Sequence, residues 1–358
     1  MEPHSELHPN LRQIAAAAQV STTTVSLALR NHPRIPAPTR LRIQALGRQM
    51  GYCPNPSVTN LMTQVRSGGR VRYRETLGWI NPHGRPDHYV NTKLVGLEYH
   101  QRLWQGALHR AEQLGYALES FWLRAPNMSA QRMSAILATR GVRGLLIPPL
   151  PRPKGHLSLD WSNFSVTALS YTMVRPQFHR VVPDHHHNIQ VILRTLRHRG
   201  YQRIGLLLPV QYDERLENRF RAGFYFYQQN VPRAERLPVL ICPPRAYEEK
   251  CADWLGKYQP DAVITLGTFR NLRAIDIGDP DYSERLAIVL MGCGAIRDSG
   301  FTVMDENPFR IAESAVDHLA GQLGRNESGL PERPETVLIK GTWIDSQSVE
   351  DPALAIAR

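Results

Sequence analysis

The sequence predicts a small all-α head joined by a short connecting helix to a two-lobed α/β domain with parallel sheets. Three observations carry that prediction. Residues 11–50 hold three short amphipathic helical patterns. A stretch punctuated by Pro and Gly follows them. From residue 76 to 345, apolar runs then alternate with amphipathic segments in two successive series, and strands alternating with helices mean parallel sheets wound by right-handed crossovers.

In the first helix Leu11, Ile14, Ala15 and Ala18 fall at i, i+3, i+4 and i+7 and make one apolar face. Val20 anchors a tight turn. Ser21 caps the second helix, because a Ser oxygen accepts from the free backbone N–H groups of the first turn. Val25 and Leu29 are expected to face inward, leaving Thr22, Thr23, Ser26 and Arg30 outside. In the third helix Thr39, Ile43, Leu46, Gly47 and Met50 repeat at helical spacing, and Pro38 sits where a first-turn proline is tolerated. A helix with a hydroxyl-rich N-terminus and an Arg at its far end suits a DNA major groove, where hydroxyls and helix-start N–H groups reach phosphates and base edges. The competing reading of residues 11–31 is an ordinary helical hairpin.

Composition narrows the choice. A chain of 358 residues is too long for one small domain and fits a head plus a ligand-sized module. The formal net charge is +11, and its excess is densest at the start: ten Arg (12, 30, 34, 40, 42, 48, 66, 70, 72, 74) and no Lys stand against Glu2, Glu6 and Glu75. An Arg-rich head points to phosphate contact and salt-dependent binding. The cysteines, Cys53, Cys242, Cys251 and Cys293, show neither CxxC pairing nor metal-ligand spacing and read as reduced thiols. MEPHSELHPN lacks the basic start and apolar core of a signal peptide, and no apolar run approaches a membrane span. A cytoplasmic location with no membrane partner is the expectation.

Pro54 and Pro56 stop the preceding helix, and Asn55 can cap a short new one, PSVTNLMTQV. Such a short helix with no core of its own is marginal in water and orders only against a partner. RSGGRVRYR then reads as a Gly/Arg linker. Behind it come a strand at 76–80, a helix over 99–116 broken at Gly115, YALESFWL, a helix over 129–140, GLLIPP and SVTALSY. The second series opens with a helix at 187–201 and continues through RIGLLLPV, RAGFYFYQQN, PVLIC, a helix at 248–258, AVITLG and LAIVLMG. A last helix, FRIAESAVDHLAGQLG, precedes a strand TVLIKGTW. Two series mean two lobes with a cleft, where ligands sit at the carboxyl ends of strands. Asn81 and Pro82 follow the first strand and are cleft candidates. Asp184 precedes a helix and is either a cleft carboxylate or that helix's N-cap.

IAAAAQVSTTTVSLALRN at 14–31, TRLRIQALGRQMGY at 39–52 and PNPSVTNL at 54–61 resemble the lac-repressor (LacI) family of bacterial transcription regulators. The family pattern A-x-x-A-x-V-S-x-x-T-V-S appears as Ala15, Ala18, Val20, Ser21, Thr24, Val25 and Ser26. The resemblance covers essentially the whole chain, specific in the head and looser behind it. It implies a helix-turn-helix head at 8–53, a hinge helix and linker at 54–75, a type 1 periplasmic-binding-protein-like effector-binding and dimerisation domain at 76–345, and a tail at 346–358. It also implies paired hinge helices across a homodimer that wedge a leucine, here Leu61, into the minor groove of operator DNA. The DNA-facing residues it selects are Ser21, Thr22, Thr23, Thr24, Ser26, Leu27, Arg30, Asn55 and Leu61. Thr22 and Thr23 are the base-reading candidates; Ser21, Thr24, Ser26 and Arg30 would position phosphates.

Several positions depart from the family pattern. Gln19 stands for the turn glycine, Leu27 for an arginine that reads guanine, and Val58 for the hinge alanine. In the effector domain Asp184 matches the V-x-x-D element, and Arg219 and Arg221 lie near the ligand-binding arginine, whose own place holds Phe220. Gly267-Thr268 replaces an Asn-Asp, and LMGCGA at 290–295 replaces G-F-D-D. The carboxylate that clamps a pair of sugar hydroxyls is thereby lost. Trp79, Phe269, Met291 and Cys293 would line a more apolar cleft or belong to the core. The expected effector residues are Asn81, Asp184, Arg219, Arg221 and Thr268, with a carbohydrate among the candidate effectors. No cofactor and no metal site are expected, since His185, His186 and His187 cannot all face one ion.

The resulting expectation is a homodimeric, sequence-specific DNA-binding transcription regulator, most often a repressor in the family, whose operator affinity is controlled by an effector between the lobes. The alternative is a sugar- or nucleotide-modifying α/β enzyme with an accessory DNA-binding head. No P-loop, G-x-G-x-x-G after a strand, G-x-S-x-G or H-E-x-x-H supports it. A transport binding protein is opposed by the basic head.

Overall fold

The computed structural model describes residues 11–29, 32–50, 75–91, 97–243, 246–266, 280–292 and 301–346. The head contains α1 (Leu11–Ala18), α2 (Thr22–Leu29) and α3 (Ala37–Gln49). Ile14, Ala15, Ala18, Val25, Ala28 and Ile43 form its core, with Leu11, Val20, Leu29, Ile35, Leu46 and Met50 packed around them. The expected inward pair on α2 was Val25 and Leu29; Ala28 takes the fully buried place and Leu29 packs at the margin. Polar residues of α3 close the other two helices. Arg42 Nη2 donates to Ala18 O at 3.2 Å and Gln44 Nε2 to Ala28 O at 2.9 Å, supplying donors to carbonyls that a helix end leaves unpaired.

Behind the head lie two lobes. The first holds β1 (Thr76–Asn81), β2 (Ala117–Trp122), β3 (Gly144–Ile147), β5 (Ser165–Ala168), β7 (His179–Pro183) and β13 (Thr336–Ile339), in the order β13-β7-β5-β3-β1-β2. All neighbours in this sheet are parallel. A small pair, β4 (Gly155–His156) and β6 (Met173–Arg175), stands beside it. Helices α4 (Glu98–Gln113), α5 (Ala130–Thr139) and α11 (Pro308–Arg325) cover the sheet. The second lobe holds β8 (Ile204–Pro209), β9 (Leu240–Cys242), β10 (Ala262–Leu266), β11 (Ala287–Gly292), β12 (Thr302–Asp305) and β14 (Thr342–Ile344). Their order is β14-β12-β11-β10-β8-β9, parallel except for β14 on β12. With them go α6 (His185–His198), α7 (Val210–Arg215), α8 (Arg219–Gln229), α9 (Tyr247–Tyr258) and α10 (Pro280–Arg285). Every residue of β3, β8 and β10 is buried, as strands covered on both faces require.

The sequence left RAGFYFYQQN unassigned; it is helical, because Phe220, Gly223 and Phe224 supply an i, i+3, i+4 face that packs on α6. TVLIKGTW, read as one strand, is two strands in different lobes. The chain changes sheets at Gly341, where a Cβ would stand 2.8 Å from both Asn188 Oδ1 and Asp305 O. This is one of three crossings between the lobes, the others running through Asp184 and through Glu306–Asn307. They are stitched to one another. Asp184 N donates to Ile339 O at 2.8 Å, and Gly341 N to Asn188 Oδ1 at 2.8 Å. Asn307, left-handed at φ 56°, donates through Nδ2 to Lys340 O at 2.9 Å and Thr342 Oγ1 at 3.0 Å. His185 Nδ1 lies 3.0 Å from Glu306 Oε1, both side chains buried.

Helix α11 begins just after a crossing and packs along α4, burying Ile311, Ala312, Ala315, Val316, Leu319 and Leu323 with Leu103, Ala107 and Ala111. Gly106 makes that approach possible, since a Cβ there would overlap the Phe309 carbonyl. Two effects oppose each other in Gly106→Ala. Helix propensity favours alanine by up to about 1 kcal/mol, while overpacking against backbone costs roughly 1–3 kcal/mol or more. The clash is with main chain and should win, so Gly106→Ala should lower stability by at least about 1 kcal/mol in urea unfolding. An unchanged or raised midpoint would show that the two helices are not in close contact.

Candidate DNA-facing head and interlobe cleft

Residues 11–50 contain no Asp or Glu, so the described head presents its cations without acidic neighbours. Ser21, Thr22 and Thr23 are exposed at the start of α2; Thr24, Ser26 and Leu27 are partly exposed. Ser21 Oγ accepts from Thr24 N at 3.1 Å and stands 2.8 Å from Thr24 Oγ1. Ser21 is thus the N-cap, and its contact with Thr24 uses one of their two O–H donors and leaves the other for an outside acceptor. Thr22 and Thr23, which need no partner within the helix, are the side chains best placed for an outside contact. Arg30, Asn55, Leu61 and the whole expected hinge helix lie outside the described residues. Gln19 adopts φ 55° in the turn, a left-handed conformation that costs an L side chain about 1 kcal/mol relative to glycine.

The candidate cleft residues follow strands of both lobes, at their carboxyl ends. After β1, Asn81 is fully buried and its amide is committed to its own loop. Nδ2 donates to Arg85 O at 2.9 Å and Pro86 O at 3.2 Å, and Oδ1 accepts from His83 N at 3.0 Å. Asn81 therefore shapes the loop rather than presenting its amide to the cleft. Asp184 is the N-cap of α6, with Oδ1 accepting from His187 N at 2.9 Å. Arg221 is similarly occupied: its Nε is 3.0 Å from Asp213 Oδ2 and Nη2 donates to Asn218 Oδ1 at 2.9 Å. Burial pushes the Asp213 carboxyl pKa up and Arg221 pulls it back, so this arginine compensates a buried acid.

Arg219 is differently placed. Its guanidinium lies over the Tyr171 ring, 4.2 Å from the centroid, and Nη2 donates to Glu217 Oε2 at 2.8 Å. Its Nε is buried with no hydrogen-bond partner among the described residues. Arg180 approaches the same ring at 5.7 Å. Burial raises the Tyr171 phenol pKa against the pull of Arg219, and Asp184 lies close enough to contribute. Tyr171, Arg219 and Asp184 therefore converge from both lobes, and a stacked, charged wall of this kind suits a polar ligand. Thr268, Phe269 and Cys293 lie outside the described residues. Trp79 and Met291 are core: Trp79 meets Tyr89 and Trp104 edge-on at 5.1 and 5.5 Å, and Met291 is 1 % exposed within the second-lobe core. His185 is buried beside Glu306, whereas His186 is exposed.

Sequence reasoning missed the other half of the cleft. His83 and His88 stack at 3.7 Å after β1, and His88 Nε2 is 2.8 Å from His100 Nδ1 on α4. Burial and the neighbouring His88 hold the His83 pKa down at about 4, and burial takes His100 well below its ordinary value. Arg215, from the second lobe, donates to Pro151 O of the first at 2.8 Å. The available signal was positional: His83 is two residues past the first strand, and His100 is in the first turn of the next helix.

The residue 10–55 segment matches the family model described as "Bacterial regulatory proteins, lacI family". Solved structures share the fold at low identity. A lac repressor dimer bound to operator and the anti-inducer ONPF is 16% identical, with a TM-score of 0.52, covering 96% of this chain and 99% of that one. The transcriptional regulator CelR in complex with cellobiose is 15% identical, with a TM-score of 0.52 and coverage of 95% and 99%. A LacI-family putative transcriptional regulator from Rhizobium etli is 13% identical, with a TM-score of 0.56 and coverage of 77% and 99%. No curated protein matches by sequence. The fold class expected from the sequence, a small helical head plus a two-lobed, parallel-sheet α/β domain, is the one observed.

Because Gln19 is left-handed and exposed, Gln19→Gly should stabilise the head by about 1 kcal/mol. Hydrogen exchange of the buried Ile14 and Val25 amides in the full chain reads this directly; slower exchange is expected. Unchanged or faster exchange would contradict strain at the turn.

Proposed function

We propose that this chain, which carries a lacI-family head in front of a two-lobed fold shared with transcription regulators, is a homodimeric, DNA-binding transcription regulator of the cytoplasm rather than an enzyme. Two heads related by a two-fold axis read two half-sites. A small-molecule effector between the lobes alters the lobe angle, and through it operator affinity. The effector is a polar compound, with a carbohydrate the first class to try.

The observation that carries this reading is the joining of that head to a cleft built on three stitched crossings. Thr22 and Thr23 read base edges, Ser21, Thr24, Ser26 and Arg30 position phosphates, and Leu27 offers an apolar contact to a thymine methyl. Asn55 and Leu61 act in the hinge, Leu61 as the minor-groove wedge. Arg219 is the effector-side cation, stacked on Tyr171. Asp184 is shared between capping α6 and the ligand, Asn81 holds the loop and Arg221 neutralises Asp213 beside it; Thr268, outside the described residues, is assigned to the ligand by its sequence position alone. Supporting a location away from the bilayer, no described helix is long and apolar enough to cross a membrane.

Selection of genomic fragments by the purified full-length protein tests the proposal. Enrichment of a palindromic site is expected, and Leu61→Gly should weaken that site at least tenfold while sparing non-specific duplex, because the wedge acts only where DNA is bent. Failure to enrich any site, with and without metabolite extract, would end the DNA-binding reading.

A further inference from the structure

Three histidines meet in the first lobe, beside the segment that Arg215 of the second lobe contacts. His83 and His88 come from the loop after β1 and His100 from α4, and their ligand nitrogens all lie within 4.8 Å of one another. His83 and His88 are buried and stacked with their planes 6° apart. Asp87, the carboxylate beside His88 in sequence, is spent on Arg85 and Asn91. His88 and His100 satisfy each other once, one donating and the other accepting. Holding two buried imidazoles and a half-buried third together with a single mutual hydrogen bond is unfavourable unless a ligand takes their lone pairs.

The chemistry of the cluster is specific. Pro149 O, 3.0 Å from His83 Nε2, only accepts, so Nε2 carries the proton and Nδ1 keeps a lone pair. A ring held by a carbonyl at one nitrogen and offering the other is the usual second-sphere arrangement of a metal-ligating histidine. Tyr89 packs against His88 and His100, and its buried hydroxyl has no partner among the described residues.

We propose that His83, His88 and His100 form a binding site for a divalent transition-metal ion of the zinc class, with a fourth position open to water or a ligand. Neutral nitrogen donors select zinc, cobalt, nickel or copper over calcium and magnesium. Tetrahedral zinc at about 2.0–2.1 Å sets its nitrogens about 3.3 Å apart. The His88–His100 pair must therefore open by about half an ångström, and the His83 or His88 ring must rotate out of their parallel stack so that both in-plane lone pairs meet one ion. Arg215 of the second lobe reaches the same first-lobe segment that holds His83, donating to Pro151 O at 2.8 Å. The inference stands whether or not the chain regulates transcription.

The test uses the full-length chain without a histidine tag, stripped with chelator and titrated with Zn²⁺ against a chromogenic chelator and with Co²⁺ in visible absorption. One ion per chain is expected, with the intense bands of four-coordinate cobalt. His88→Gln and His100→Gln should each weaken binding roughly 100-fold or more. His186→Gln and His318→Gln should leave it unchanged; His318 belongs to a rim group with His179 and Glu335, the last 71 % exposed. X-ray absorption of the zinc-loaded wild type, which depends on no variant folding, should show three imidazole nitrogens at about 2.0 Å. Absence of stoichiometric binding, binding that survives both cluster variants, binding lost in His318→Gln, or fewer than three imidazoles at the ion would each overturn the site.

Discussion

The hydrogen-bonded seam at the three lobe crossings is the constraint on which everything else rests. Asp184, Asn188, Asn307 and Gly341 tie three separated stretches of chain to one another, and no side chain can replace Gly341 without displacing Asn188 or the Asp305 carbonyl. Each lobe has its own core and its own sheet. The lobes are consequently separately packed units joined at a well-specified band. Motion between them is the inexpensive deformation, because it leaves both cores packed and bends only a few backbone torsions.

The cleft residues inherit their meaning from that seam. Asp184 caps α6 at a crossing; Arg219 reaches Tyr171 from the other lobe; Arg215 reaches Pro151. A ligand gripping both lobes changes their relative stability in two arrangements, and on the proposed reading that difference is what the head would sense. Coupling of about 1–3 kcal/mol is typical of such linkage and changes operator affinity by roughly 5- to 150-fold. The seam needs no further strengthening for this. It has to persist while the lobes rotate.

Much of this was legible from local pattern. The spacing of Leu11, Ile14, Ala15 and Ala18 and the capping chemistry of Ser21 are properties of adjacent turns, so the head could be read directly. The alternation of β and α segments likewise needs only periodicity. What escaped depends on distant contacts. TVLIKGTW reads as one strand because nothing in an apolar run says that its two halves join different sheets. Leu29 packs on the head core as expected, and Ala28 joins Val25 as its fully buried neighbour, which the spacing on α2 alone does not specify. Of the two places the sequence allowed Trp79, cleft or core, the structure takes the core, with its ring packed on Tyr89 and Trp104. Asn81 and Arg221 are near the cleft but satisfy local groups. The imidazole cluster joins two elements whose facing geometry exists only in the fold.

The central claim is that head and cleft are one thermodynamic unit connected through the crossings. Reciprocity allows it to be tested without an identified effector: if a cleft ligand alters operator affinity, operator must alter the cleft. Hydrogen–deuterium exchange of the full-length protein, with a selected operator and with a non-operator duplex of equal length, is the most direct measurement. The account predicts operator-specific changes at Asp184–Asn188, Asn307 and Gly341 as well as in the head. Changes confined to residues 11–49, or identical with both duplexes, would contradict it.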